Sequence, residues 1–124
     1  MAGIAIVPAS TRADSFDHLA MTSIALDSYL VDTLLPDLVG HDRQPSAFLV
    51  YLLLYRRTDA AGESSVQISL IDIALATGLS KRSVQEAIRC LSRRRLVSIQ
   101  RASITAVPVY TVRRPWVDQR ASDR

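Results

Sequence analysis

The stretch "ATGLSKRSVQEAIRCLSRRR", Ala76 to Arg95, gathers six of the chain's fifteen basic residues into twenty positions. Its apolar residues keep a helical period. On a wheel at about 100° per residue, Val84, Ala87, Ile88 and Leu91 cluster on one side, and Arg82, Glu86, Arg89 and Arg93 lie opposite. Ser80 is a hydroxyl N-cap for a helix from Lys81 to about Arg94. Upstream, Ser69 caps a shorter helix, Leu70 to Thr77, and Gly78 breaks it, since glycine enters left-handed backbone without steric cost. The pattern predicts two helices packed steeply across a tight turn. Ala74 is the small residue at their contact, Leu79 fills the corner, and the apolar side of the second helix faces inward.

Working outward, "LVSIQR" and "PVYTVRR" read as two strands around a turn near Ser103 to Val107, with Tyr110 and Trp116 in core and edge packing. "SVQIS" alternates as a short strand after a polar loop, "TDAAGESS". "AFLVYLLLY", Ala47 to Tyr55, is about half of a membrane crossing and is followed at once by Arg56 and Arg57. It is expected as a helix from Ala47 to about Arg57, capped by Ser46 and buried on all sides. Before it, Phe16, Leu19, Ile24, Leu26, Leu30, Leu34, Leu35 and Leu38 keep a roughly helical spacing, in one helix or two short ones ending near Pro36 or Gly40.

The expected fold class is α+β, mainly α with a small β ribbon: a winged helix-turn-helix with an N-terminal helical extension. Its parts are a flexible arm at 1–14, an acidic helical extension at 15–44, a winged helix-turn-helix domain at 45–116, and a flexible tail at 117–124.

The net charge of +3 hides an asymmetry. Residues 1–44 hold two arginines against six aspartates, a net of −4, and the remainder holds thirteen basic against six acidic groups, a net of +7. A basic half suggests a polyanion, and nucleic acid is the default. Like charge along one helix is tolerable if a partner neutralises it. A recognition helix reads bases mainly from its N-terminal part. Arginine pairs bidentately with guanine and glutamine with adenine, which makes Arg82, Ser83 and Gln85 the candidates for base contact. Lys81, Arg89 and Arg93 suit phosphates, which fix position without reading sequence. Arg101, near the ribbon tip, is a further candidate for backbone or minor groove, and Arg113 and Arg114 for phosphate. Cations in the last helical turn also stabilise the helix dipole, by roughly 0.3–1 kcal/mol, so Arg93 to Arg95 have a structural use as well.

The stretch "LIDIALATGLSKRSVQEAIRCLSRRRLVSI" resembles the core of bacterial winged-helix DNA-binding proteins. Together with "LDSYLVDTLLPDL" and "AFLVYLLLYRRT" upstream, it is similar to winged-helix domains of phage and plasmid replication initiators and related transcription regulators, over roughly residues 16–116. The resemblance implies DNA contact by Lys81, Arg82, Ser83, Gln85 and Arg89. It departs at Arg95, where such domains usually have glycine. A left-handed arginine costs on the order of 1 kcal/mol, so a different helix ending is expected there. The further domains of a full initiator are not in the sequence, which points to a small regulator.

The expected function is sequence-specific binding of double-stranded DNA in transcription control. Replication or plasmid maintenance is the alternative, and a protein-interaction module without DNA binding is the rival from another class. The acidic front suits homodimerisation. One cysteine, Cys90, allows no disulfide framework, fits a cytoplasmic protein, and reads as a packed thiol. His18 and His41 lie apart without metal-ligand spacing, and neither a phosphate-binding glycine loop nor a nucleophile elbow occurs. No enzyme activity, cofactor, metal or membrane association is expected.

Overall fold

Four main helices and three strands follow one another over residues 23–61 and 64–117, the residues described by this computed structural model. The first helix, α1, runs over 28–41 and contains two π-helical stretches, Leu30–Leu34 and Asp37–His41. Asp27 caps it, its carboxylate accepting the Tyr29 N–H at 3.0 Å. Of the two expected endings, Pro36 and Gly40, the helix takes the later one and continues through the proline. Proline has no N–H to give, and its ring crowds the carbonyl four residues back. The chain passes it on wider turns, with Leu35 N–H bonded to the Leu30 carbonyl and Asp42 N–H to that of Asp37.

Leu30, Leu34 and Leu38 of α1 are buried in the same core as the later elements. Burial of such a side chain contributes about 1.5–3 kcal/mol. Helix α1 therefore shares its core with the later helices and the sheet. The arm at 1–14, Phe16, Leu19 and the tail beyond Val117 lie outside the described residues.

Helix α2 is Pro45–Ala61. It starts on a proline, whose missing N–H costs nothing in the first turn, so Ser46 is inside the helix and not its cap. It also runs past the expected end at Arg57. Thr58 is fully buried there, its hydroxyl donating to the Tyr55 carbonyl at 2.9 Å. Nor is α2 buried on all sides. Ala47, Phe48, Val50, Tyr51, Leu54 and Tyr55 face the core, while Leu49 is exposed and Leu52 and Leu53 are half-buried. The Tyr51 hydroxyl donates to the Arg113 carbonyl at 2.8 Å, fixing α2 to the C-terminal segment, and burial pushes its pKa up.

Helices α3, Leu70–Thr77, and α4, Lys81–Arg93, follow as expected. The strands are β1, Ser65–Gln67, β2, Val97–Gln100, and β3, Val109–Val112. The ribbon of β2 and β3 gains a third member, because β1 pairs with the free edge of β3. The antiparallel order is β1-β3-β2, with both Val66 and Ile99 opposite Tyr110. A two-stranded ribbon is marginal alone, and this addition anchors it through Ser65 and Thr111, whose hydroxyls lie 2.9 Å apart. The architecture is mainly helical with one small antiparallel sheet, in the α+β class.

Candidate nucleic-acid interface

The turn between α3 and α4 is built from local devices. Gly78 sits at φ 80° and ψ 9°, and its N–H bonds to the Ala74 carbonyl at 2.8 Å. A Cβ placed there would meet nothing within 4 Å, so the requirement for glycine is conformational, not steric crowding. The Thr77 hydroxyl donates to the Ile73 carbonyl at 2.7 Å and accepts the Leu79 N–H at 3.3 Å. Both serine caps form: Ser69 Oγ accepts the Asp72 N–H at 3.1 Å, and Ser80 Oγ accepts the Ser83 N–H at 3.0 Å. Ala74 and Leu79 pack against the core, and α4 buries Val84, Ala87, Ile88, Cys90 and Leu91.

This packing leaves the opposite side of α4 outward. Lys81, Arg82, Gln85, Arg89 and Arg93 are exposed. Arg82 lies 3.4 Å from Glu86 one turn on, an exposed pair worth only a few tenths of a kcal/mol. Ser83 is half-buried, and its hydroxyl accepts from that of Ser80 at 3.0 Å, so it serves the cap as well as lying in the first turn. Arg101 follows β2 directly and is exposed. Gln85, Arg89 and Arg101 line one open groove of about 420 Å³ between α4 and the sheet, with Ile88, Ile99 and Tyr110 among its apolar lining. The fold thus brings Arg101 to Gln85 and Arg89. Lys81, Arg82 and Arg93 stay on the helix outside that groove. The apolar lining was not singled out from sequence; the alternation of β2, which sends Ile99 to the face of Gln85, was its only sign.

The end of α4 departs from expectation. Arg95 adopts the left-handed conformation after all, at φ 60°. The Leu96 N–H bonds to the Leu91 carbonyl at 2.9 Å and the Arg95 N–H to that of Ser92 at 3.0 Å, the two bonds of a Schellman ending. Leu91 and Leu96 are both buried, which supplies the hydrophobic contact of that motif. The ending of a glycine-capped helix is kept with arginine in the glycine position.

Just before it, Arg94 turns to the acidic front. Its Nε and Nη2 donate to Asp42 at 2.6 and 3.2 Å, and its Nη1 to Asp37 at 3.0 Å. Hydrogen bonding to Arg94, helped by His41, draws the Asp42 carboxyl down to about 2. Cys90 Sγ donates to the same carboxylate at 3.7 Å, and burial pushes its thiol up, so a packed, unreactive cysteine is what the geometry supports. Arg113 and Arg114 are exposed, with the Arg114 guanidinium 4.4 Å above the Tyr55 ring.

Among the described residues, no group of His, Cys, Asp and Glu is arranged to hold a metal ion, and no helix is long and apolar enough to cross a membrane. The chain matches no protein-family model, no curated protein and no solved structure.

Proposed function

We infer that this is a winged helix-turn-helix protein that binds double-stranded DNA sequence-specifically and acts as a transcription regulator, with α4 in the major groove. The observation that carries this reading is the open outer side of α4. Lys81, Arg82, Gln85, Arg89 and Arg93 are exposed on it, while Asp37 and Asp42 of the acidic front are engaged by Arg94 instead. The cationic ridge is therefore not covered by Asp37 and Asp42, and Glu86 within it pairs with Arg82. Arg82 has the paired donors that match guanine and Gln85 the donor and acceptor that match adenine, with Ser83 beside them in the first turn. Lys81, Arg89 and Arg93 neutralise phosphates, and Arg101 meets the backbone from the sheet side of the groove.

The protein acts by occupancy, as a cytoplasmic homodimer on a paired site, without catalysis or cofactor. Use of the same interface in replication or plasmid maintenance is the close alternative. Ile71 and Leu75, 59% and 77% exposed on α3, favour a second reading as a protein-docking module.

Selection from random duplexes supplies the site, and a salt titration of its binding gives the number of phosphates, expected at about four to eight. Arg82→Ala with Arg89→Ala is expected to weaken binding by about a hundredfold and to blur the selected sequence. Undiminished duplex binding by that double variant overturns α4 as the reading helix, and absence of duplex binding by the unaltered chain favours docking.

A further inference from the structure

Among the described residues, the two non-glycine positions with left-handed backbone are both arginines, Arg43 at φ 56° and Arg95 at φ 60°. They belong to different connections, one before α2 and one after α4. The fold nevertheless brings the residues that precede them into contact. Asp42, which precedes Arg43, and Arg94, which precedes Arg95, are joined by the 2.6 Å and 3.2 Å bonds described above. The left-handed conformation costs an L-residue roughly 1–2 kcal/mol, and glycine would remove that cost at either position. Strain held at two positions flanking one ion pair, both times by the same cationic side chain, points to a use for the cations.

The charge around them is uncompensated. Arg43, Arg93 and Arg95 are exposed, and none has an ion-pair partner among the described residues. The acids nearby, Asp37 and Asp42, are both bound by Arg94, which leaves three guanidinium groups against one surplus negative charge.

We propose that Arg43, Arg93 and Arg95 form a phosphate-binding site for the duplex backbone flanking the groove that α4 enters. The proposal rests on the DNA-binding reading and adds to it. Lys81 and Arg93 are twelve residues apart, about 18 Å at the rise of an α-helix. A major groove is only about 12 Å wide, so with the N-terminal half of α4 on the bases its far end stands over the neighbouring strand. Guanidinium groups match phosphate oxygens there in bidentate pairs, and such contacts hold position without reading sequence.

The test uses the full chain with Arg43→Gly and Arg95→Gly together, measured on the selected duplex and on a scrambled duplex of equal length. Glycine suits both backbones, so the melting temperature of this variant is expected to rise, which separates lost contact from lost fold. Affinity for both duplexes is expected to fall by the same factor, roughly ten- to thirtyfold at about 0.15 M salt, and the salt slope to flatten by about two. Wild-type affinity and slope in the glycine variant would overturn the site while leaving the DNA reading intact. A loss confined to the selected duplex would also overturn it, because these arginines would then read bases. If the unaltered chain binds neither duplex, the reading fails and the site with it.

Discussion

Two helices of this chain close on a left-handed residue, and the residues could hardly differ more. α3 ends at Gly78, φ 80°, and α4 ends through Arg95, φ 60°. At Gly78 the residue itself meets the backbone demand, and the bonds around it span at most a few positions. At Arg95 local preference opposes the geometry, which is held from elsewhere. Leu91 and Leu96 are buried on either side of the ending, and Arg94 is fastened to Asp42 and Asp37, which are distant in sequence. The first ending is written where it occurs; the second is imposed by tertiary contacts strong enough to override about 1 kcal/mol of local cost.

Removing the tertiary hold gives the largest effect on this contrast. Arg94→Ala deletes three charge-assisted hydrogen bonds and leaves Asp42, only 18% exposed, without its main partner. A loss of about 2–3 kcal/mol is expected in denaturant unfolding. A loss within measurement error would mean that the leucines alone hold the ending.

Acid acts on the same contact from the other side. The Asp42 carboxyl is drawn from its ordinary 3.8 to about 2 in the folded chain. Its contribution is whole above about pH 4 and disappears as the pH falls through about 2, for a loss of up to about 2 kcal/mol. Stability followed against pH in the native chain and in Arg94→Ala checks this, because the variant is expected to lose most of that acid-dependent part. An unchanged acid response in the variant would assign it to other carboxyls.

The smallest effects give the sharpest test, because their signs oppose. Gly78→Ala forces a Cβ into left-handed backbone and is expected to cost about 1–2 kcal/mol, while Arg95→Gly relieves it and gains up to about 1 kcal/mol. Melting temperatures of the two variants are expected to move in opposite directions. A fall in both would show that the Arg95 side chain stabilises the fold by more than its backbone costs.

The same division explains what the sequence disclosed. Ser69, Gly78 and Ser80 act on residues within four positions, so α3, the turn and α4 were legible with nearly their observed bounds. The outward side of α4 followed from period alone. By contrast, Pro36 signals a helix break, yet the helix continues through it in wide turns with buried leucines on both sides. The pairing of β1 with β3 joins Ser65 to Thr111, and nothing in a three-residue alternation announces that partner. Arg94 reads as one more cation of a basic run; that it alone turns toward two aspartates depends on how α1 packs, which no local pattern carries. Among the candidate contact residues, the helical ones could be placed by wheel geometry. Arg101 could be put near the helix only once the sheet was known.

The seam between the front of the described chain and its end has a practical consequence. Trp116, the only tryptophan in the sequence, lies flat against Tyr29, with ring centroids 4.7 Å apart and planes 13° from parallel. It is 5% exposed. Tryptophan emission of this protein therefore comes from a single shielded indole at that seam, and it marks the moment the leading helix lets go of the C-terminal segment, without any added dye.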